Sequence, residues 1–327
     1  MNIEDVFTLI KGDMERVNHL IQTSLHSEVV LINQISQYII NSGGKRLRPV
    51  LVLLSANAFA SAKHSSANEH QITLAAVIEF IHTATLLHDD VVDESELRRG
   101  KDTANELWGN AASVLVGDFL YSRAFEMMVG VESMKVMNIL SHSTNTIAEG
   151  EVLQLLNCND ASTTQERYIE VIHYKTAKLF ESAAQLGAVV TAQDETTEQS
   201  MAKFGMHLGT AFQLIDDVLD YSADSEELGK NVGDDLAEGK PTLPLIYAMA
   251  HGSDKQAQLI KEAIEQGGLE QIEAITQAIE TTGALDYTRD IAREEADLAI
   301  AQLANIPNSD YKEALITLAN FSVDRSF

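Results

Sequence analysis

Cysteine is nearly absent from this chain: Cys158 is the single example in 327 residues. One thiol cannot build a disulfide framework, and it suits a reducing compartment, so a cytoplasmic location is expected. Proline is almost as scarce, with only Pro49, Pro241, Pro244 and Pro307 to interrupt a helix. Aromatic residues make up 6%, and short alternating runs do not recur at strand-like spacing. Bases are in deficit, 23 Lys and Arg against 49 Asp and Glu, for a net charge of −26. Such a balance argues against nucleic acid as a partner and against adhesion to anionic membrane. No apolar run of about 18 residues is free of polar interruption, so no membrane span is expected. The opening Met1-Asn2-Ile3-Glu4-Asp5 lacks the basic start and apolar core of a signal peptide.

What is present is long stretches rich in Ala, Leu, Ile, Glu and Gln, which predict an all-α protein, read here as one domain over 1–327. One or two amphipathic helices fit 4–42, with a break near Ser24–Ser27. Further helices fit about 50–60, 71–93, 111–129, 133–156, 165–191 and 196–221, then shorter ones over 243–325. Ser61–His70 and Asn157–Gln165 read as loops. The long polar segment from Ser222 to Thr242 is a candidate lid, since loops of that length inside a compact domain are usually functional or disordered.

Two acid triplets of one shape sit on strongly apolar stretches: Asp89-Asp90-Val91-Val92-Asp93 and Asp216-Asp217-Val218-Leu219-Asp220. On a helix, residues four apart share a face, so Asp89 with Asp93, and Asp216 with Asp220, each present a pair of carboxylates. A single triplet is as readily a solvated face or a cap. Two of them at matched spacing, flanked by Ile81, Leu86, Leu87, Leu214 and Ile215, call for a cation, because uncompensated buried acids are costly. Hard oxygen donors without a Cys or His cluster point to Mg²⁺, which keeps waters and shares its site with substrate phosphates. Two such clusters facing each other would cage a diphosphate.

The few bases fall beside these acids. Arg98-Arg99-Gly100-Lys101 follows the first triplet, and Gly43-Gly44-Lys45-Arg46-Leu47-Arg48-Pro49 forms a second basic turn. That turn also reads as a Gly helix stop with surface charge. Lys230 and Lys240 follow the second triplet, and Lys175 precedes Thr176 inside an expected helix. Arg forks and Lys point charges are the usual partners of phosphate oxygens.

The set Gly44-Lys45-Arg46-Leu47-Arg48-Pro49, Leu87-His88-Asp89-Asp90-Val91-Val92-Asp93 with Arg98-Arg99-Gly100, Lys175-Thr176, Phe212 to Asp220, and Gly239-Lys240-Pro241-Thr242 resembles the trans-isoprenyl diphosphate synthases. Within that family, Glu79 to Thr85, Val92 to Ser95 and Gly229 to Asp235 look most like the bacterial octaprenyl-forming members. The resemblance implies a bundle of long antiparallel helices around a deep central cavity, the isoprenoid synthase fold, usually as a homodimer. It implies sequential condensation of isopentenyl diphosphate onto an allylic diphosphate such as farnesyl diphosphate. Asp89, Asp93 and Asp216 would hold three Mg²⁺ ions per site, with Asp90, Asp217 and Asp220 supporting directly or through water. Arg98, Lys175 and Lys240 would hold the allylic diphosphate, and Lys230 would close over it. Lys45, Arg48, His82 and Arg99 would hold isopentenyl diphosphate, and Thr176 and Gln213 would line the space where the cation forms. Asp89, Asp93, Lys175, Asp216 and Lys240 are thus the expected catalytic set. His82 on its own reads equally as a core histidine.

Product length should follow how far the growing chain runs down the cavity. Thr85 and Ala84, four and five positions before Asp89, are small, which argues against the short-chain members. The resemblance favours an octaprenyl product for quinone side chains, with heptaprenyl, nonaprenyl and geranylgeranyl open. Phe125, Met127 or Met128 could form a tunnel floor, although the Met pair also suits plain core filling. Three rival readings are weaker. An HD-type phosphohydrolase, suggested by His88-Asp89, leaves the second triplet, Lys230 and Lys240 unexplained. A terpene cyclase has no use for a second basic turn. A non-catalytic subunit would be expected to lose Asp or Arg at these positions.

Overall fold

The computed structural model describes residues 1–59, 65–98, 100–222 and 232–324, and they are overwhelmingly α-helical. The chain divides into two compact units, each of three segments. Met1–Thr144, Leu179–Gly205 and Ala301–Leu318 form the first; Asn145–Lys178, Met206–Ile300 and Ala319–Phe327 form the second.

The first unit opens with α1 (Ile3–Leu9), α2 (Lys11–Ser24) and α3 (Val30–Asn41). A capping box starts α1: Asn2 accepts from the Asp5 N–H and Asp5 accepts from the Asn2 N–H. The break expected near Ser24–Ser27 is present, and a second falls at Ile10. Helix α4 (Leu47–Asn57) is entered through Arg46 in the left-handed region, φ 49°. Pro49 lies in its first turn, where N–H groups have no helical partner, so the ring costs no bond. Helix α5 (Ser65–Val92) starts earlier than expected, because once a helix is nucleated each added residue gains a bond even through Ser and Asn.

Helix α5 is packed against α2 and α4 in the same unit. Its stretch Glu69–Val92 is long and apolar enough to cross a bilayer, a feature that counting unbroken apolar runs overlooks, and most of it is buried. Beyond it, the all-α chain carries a small antiparallel hairpin, β1 (Leu97–Arg98) with β2 (Lys101–Asp102), turning at a left-handed Gly100. Then come α6 (Ala104–Trp108) and α7 (Asn110–Val129). A Cβ on Gly117 would stand 2.3 Å from His88 Nε2, so glycine leaves room on α7 for the His88 ring of α5. Leu51, Leu53, Leu54, Leu74, Ile78, Phe80, Phe180 and Phe204 are buried in this unit, each contributing at most about 1.5–3 kcal/mol.

Helix α8 (Met134–Asn157) passes from the first unit into the second at Thr144. The helix expected over 165–191 is interrupted: α9 (Gln165–Ile172) and α10 (Lys178–Val190) are joined by a π-helical turn, His173–Ala177. Then come α11 (Glu195–Asp220), the short α12 (Asp234–Ala237), α13 (Leu243–His251), α14 (Asp254–Gln266), α15 (Ile272–Thr282), α16 (Ala284–Gln302) and α17 (Asp310–Asp324). The expected Ser222–Thr242 lid is described only at Ser222 and from 232 onward, where it includes α12; 223–231 lie outside the described residues. Two buried apolar clusters are seen among the described residues of the second unit. One gathers Tyr221, Leu236, Leu245, Ile260, Ile264, Ile275 and Ile279; the other gathers Tyr168, Ile172, Leu214, Ile215, Leu219 and Leu243. The second triplet's helix is thus anchored by its own apolar neighbours.

Candidate active site

In the first unit, α5 ends at the first triplet. Asp89 and Asp93 are half-buried, while Asp90 is fully buried at 0% exposure. The turn is closed by backbone bonds from the Asp93 N–H to Asp89 O (2.8 Å) and from the Ser95 N–H to Asp90 O (3.0 Å). Arg98, on β1, donates from Nε and Nη2 to Asp90 Oδ1, both at 2.7 Å. The other oxygen, Oδ2, is buried without a hydrogen-bond partner. Burial raises the Asp90 pKa, while the Arg98 guanidinium pulls it back down. Asp90 therefore fixes Arg98 to the end of α5.

The basic turn lies in the same unit. Gly43 and Gly44 have φ 98° and 125°, which only glycine adopts without strain. Lys45 is exposed, and Arg46 is held by Asn18, by Ile40 O (3.4 Å) and by Glu79 (3.7 Å). Arg48 reaches α5, with Nη1 3.1 Å from His82 Nε2. A guanidinium can only donate, so His82 accepts at Nε2 and carries its proton on Nδ1. The sequence reading gave Glu79 no role of its own; the available signal was an acid one turn before His82 on an apolar helix. Ala84 is fully buried and Thr85 partly exposed, and Met128 is buried while Phe125 and Met127 are half-buried. Arg99 lies outside the described residues.

The second unit has the same motif with different supports. Asp216 is half-buried, whereas Asp217 and Asp220 are buried at 2% and 5% exposure. Asp217 accepts from the Tyr168 hydroxyl and from Gln213 Nε2 (2.8 Å), and Gln213 Oε1 accepts from Thr176 (3.1 Å). Burial and the Asp235 charge push the Asp217 pKa well above the usual range. Asp220 accepts from the Asp235 N–H (3.3 Å) and, through its backbone carbonyl, from the Gly233 N–H (3.0 Å). Asp217 is thus held by Tyr168 from α9 and by Gln213 one turn earlier on α11. Tyr168 was not foreseen, since nothing in its local sequence marks it as a partner of an acid 49 residues away.

Lys175 lies in the π-helical turn, paired with Glu151 on α8 at 2.5 Å. A Cβ on Gly150 would come within 2.7 Å of the Lys175 backbone nitrogen, so α8 presses on the widened turn. Single π turns inside α-helices recur at functional sites because they re-aim side chains. Lys240 is paired with Glu238, and its N–H donates to Asp235 O (2.9 Å). Beside it, left-handed Gly239 (φ 69°) packs on Asn159, whose N–H donates to Gly239 O at 2.8 Å. Lys230 lies outside the described residues. Among the described residues, no three His, Cys, Asp or Glu side chains are gathered closely enough to hold a metal by themselves.

A family model for polyprenyl synthetases matches residues 29–282. Octaprenyl diphosphate synthase of Escherichia coli (strain K12) is 55% identical over 326 residues, 99% of each chain. Its Haemophilus influenzae counterpart is 52% identical over 100% of this chain and 98% of the other. Among solved structures, a polyprenyl synthase from Caulobacter crescentus CB15 complexed with calcium and isoprenyl diphosphate superposes with a TM-score of 0.94. It is 45% identical, over 99% of this chain and 98% of that one. Heptaprenyl diphosphate synthase from Staphylococcus aureus gives 0.91 at 29% identity, over 97% and 99% of the two chains.

Proposed function

This chain belongs to the polyprenyl synthetase family, and on that premise we propose that it is an octaprenyl diphosphate synthase acting as one domain over 1–327. It adds five-carbon units from isopentenyl diphosphate to an allylic diphosphate, farnesyl diphosphate being the proposed starter. The observation that carries this reading is full-length identity above half to octaprenyl diphosphate synthases, combined with intact triplets and intact basic partners.

The residues present fit magnesium. Asp89, Asp93 and Asp216 offer hard carboxylate oxygens at partly accessible positions. The lack of a three-ligand cluster among the described residues suits an ion that takes one or two carboxylates and fills its octahedron with water and phosphate. Those three residues are proposed to hold it, three ions per site. When bound, magnesium neutralises charge on the departing diphosphate. Arg98, Lys175 and Lys240 bind the allylic diphosphate, with Lys230 closing over it. Lys45, Arg48, His82 and Arg99 orient isopentenyl diphosphate so that its double bond meets the allylic carbon. Thr176 and Gln213 line the reacting space, and the apolar surroundings exclude water that would quench a carbocation. The proton lost after condensation goes to the released diphosphate.

Small side chains at Ala84 and Thr85 leave room for a long product. Exposed Val114, Leu115 and Val129 on α7 support a homodimer, since large apolar residues on one exposed helix favour a partner surface. We place the enzyme in the cytoplasm, without a nucleic-acid partner or membrane span. The test is incubation with radiolabelled isopentenyl diphosphate, farnesyl diphosphate and Mg²⁺, followed by reversed-phase chromatography of the dephosphorylated product. An eight-unit alcohol is expected; a shorter or longer main product overturns the octaprenyl assignment, and no incorporation overturns the synthase reading.

A further inference from the structure

Arg48 is held from a side that the motif does not reveal. Its guanidinium lies over the ring of Phe180, with Cζ 4.4 Å from the centroid, while Nη1 donates to His82 Nε2 at 3.1 Å. Phe180 lies in the first turn of α10 and is 1% exposed. Its backbone has little freedom. A Cβ on Gly205 would fall 2.3 Å from the Phe180 carbonyl oxygen, so α11 rests directly on α10 at that point. A Cβ on Gly187 would fall 2.4 Å from Ser55 Cβ and 2.6 Å from the Ala56 nitrogen, so α10 rests directly on α4 as well.

The numbering of these contacts is informative. Gly187 follows Phe180 by seven positions, and Ser55 follows Arg48 by seven. Seven residues are close to two helical turns. Arg48/Phe180 and Ser55/Gly187 are therefore two contacts between α4 and α10, about two turns apart on each helix. The ring is thus buried where α10 is closely approached by α4 and α11, and it faces the guanidinium. Stacking on a ring attracts a guanidinium electrostatically, more so when desolvated, and removes rotamer freedom that phosphate binding would otherwise have to remove.

We propose that Phe180 is a positioning residue for isopentenyl diphosphate, fixing the Arg48 guanidinium and, through Nη1, the His82 ring. This rests on the role proposed above for Arg48 and His82. Phe180 itself touches no reacting atom in this scheme.

The test uses the full-length enzyme with Mg²⁺, farnesyl diphosphate and isopentenyl diphosphate, comparing wild type, Phe180→Leu and Phe180→Tyr. Loss of a buried cation–ring contact predicts a KM for isopentenyl diphosphate raised roughly 3–30-fold in Phe180→Leu. The KM for farnesyl diphosphate should stay within about twofold, and Phe180→Tyr, which keeps the ring, should restore the wild-type value. In an Arg48→Lys background the further effect of Phe180→Leu should shrink, because the planar partner is gone. Phe180→Met replaces the Leu variant if thermal melting shows that one unfolded. Equal rises in both KM values, a fall in kcat alone, or an unchanged KM for isopentenyl diphosphate overturns the inference while leaving the synthase reading intact. A wild-type enzyme that incorporates no isopentenyl diphosphate overturns the synthase reading first, and this inference with it.

Discussion

Replacing Arg98 by methionine removes both donors from Asp90 Oδ1 and leaves a carboxyl at 0% exposure whose Oδ2 already has no hydrogen-bond partner. Breaking a buried pair by deleting one partner costs about 3–5 kcal/mol, because the remaining charge is stranded. The Arg98 side chain is 27% exposed, so the lower end, about 3 kcal/mol, is the expected loss. Asp90→Asn/Arg98→Met should recover part of it, leaving about 1–2 kcal/mol for the missing hydrogen bonds. Protonation offers Asp90 another escape. Its pKa is already raised by burial, with Asp89 and Asp93 adding to the rise and Arg98 opposing it; without Arg98 it rises further. A native state that binds more protons than the unfolded chain loses stability as pH climbs from the ordinary carboxylate value through the raised one. The deficit of Arg98→Met against wild type should therefore shrink on acidification from about pH 7 to about pH 5. Urea denaturation followed by circular dichroism, in EDTA so that no divalent ion contributes, measures all of this. A deficit below about 1 kcal/mol that is also flat with pH would refute the picture of a stranded carboxylate.

Other perturbations reach other parts of the site. Thr85→Phe should shorten the product to about three or four five-carbon units, read by chromatography of the alcohols. Ala84→Phe should do the same but also lose about 1–3 kcal/mol, because that position is fully buried. Tyr168→Phe removes a donor from buried Asp217 and should lower stability by about 1–3 kcal/mol in a urea titration. Gly150→Ala forces α8 off the backbone at Lys175, and initial rates should show kcat/KM for the allylic substrate falling on the order of 10²-fold. Chelation with EDTA should abolish label incorporation, and Mg²⁺ should restore it; persistence in excess chelator contradicts the metal assignment.

The parts of the molecule legible in the sequence are those with a local cause. Asp216 to Asp220 lie on a helix because Leu214, Ile215, Val218 and Leu219 repeat at helical spacing, and all are buried. The loop starting after Asn157 is visible from its polar run. What escaped the sequence depends on partners far along the chain. The π turn at His173–Ala177 has no signature of its own; it accompanies the close approach of Gly150 on another helix. Tyr168 beneath Asp217 and Phe180 beneath Arg48 are ordinary core-type aromatics until the fold sets them against a charge. The hairpin at Leu97–Asp102 is too short to produce an alternating pattern, and only Gly100 hinted at a turn. A triplet likewise cannot reveal which of its acids is sealed in, since burial of Asp90 and Asp217 is decided by the helices packed around them.

The charge arrangement also explains how so acidic a chain can take up an anionic substrate. Among the described residues, the cations proposed for the allylic diphosphate are coupled to carboxylates on their own unit: Arg98 to Asp90, Lys175 to Glu151 and Lys240 to Glu238. Arg46, at the isopentenyl diphosphate turn, is coupled to Glu79. These pairs keep Lys and Arg ordered without substrate, which lowers the entropy lost on binding. They also nearly cancel the local positive charge, so the side chains alone attract a diphosphate weakly. Divalent charge added at Asp89, Asp93 and Asp216, the proposed ligands, would change that balance by neutralising three further carboxylates near the bases. Diphosphate affinity should therefore depend far more steeply on Mg²⁺ than on any single Lys or Arg. A binding titration of inorganic diphosphate across Mg²⁺ concentrations, on wild type and on Lys240→Met, measures this ordering. If the Lys240→Met change weakens binding more than removal of Mg²⁺ does, the cations are acting without the metal and the charge argument is wrong.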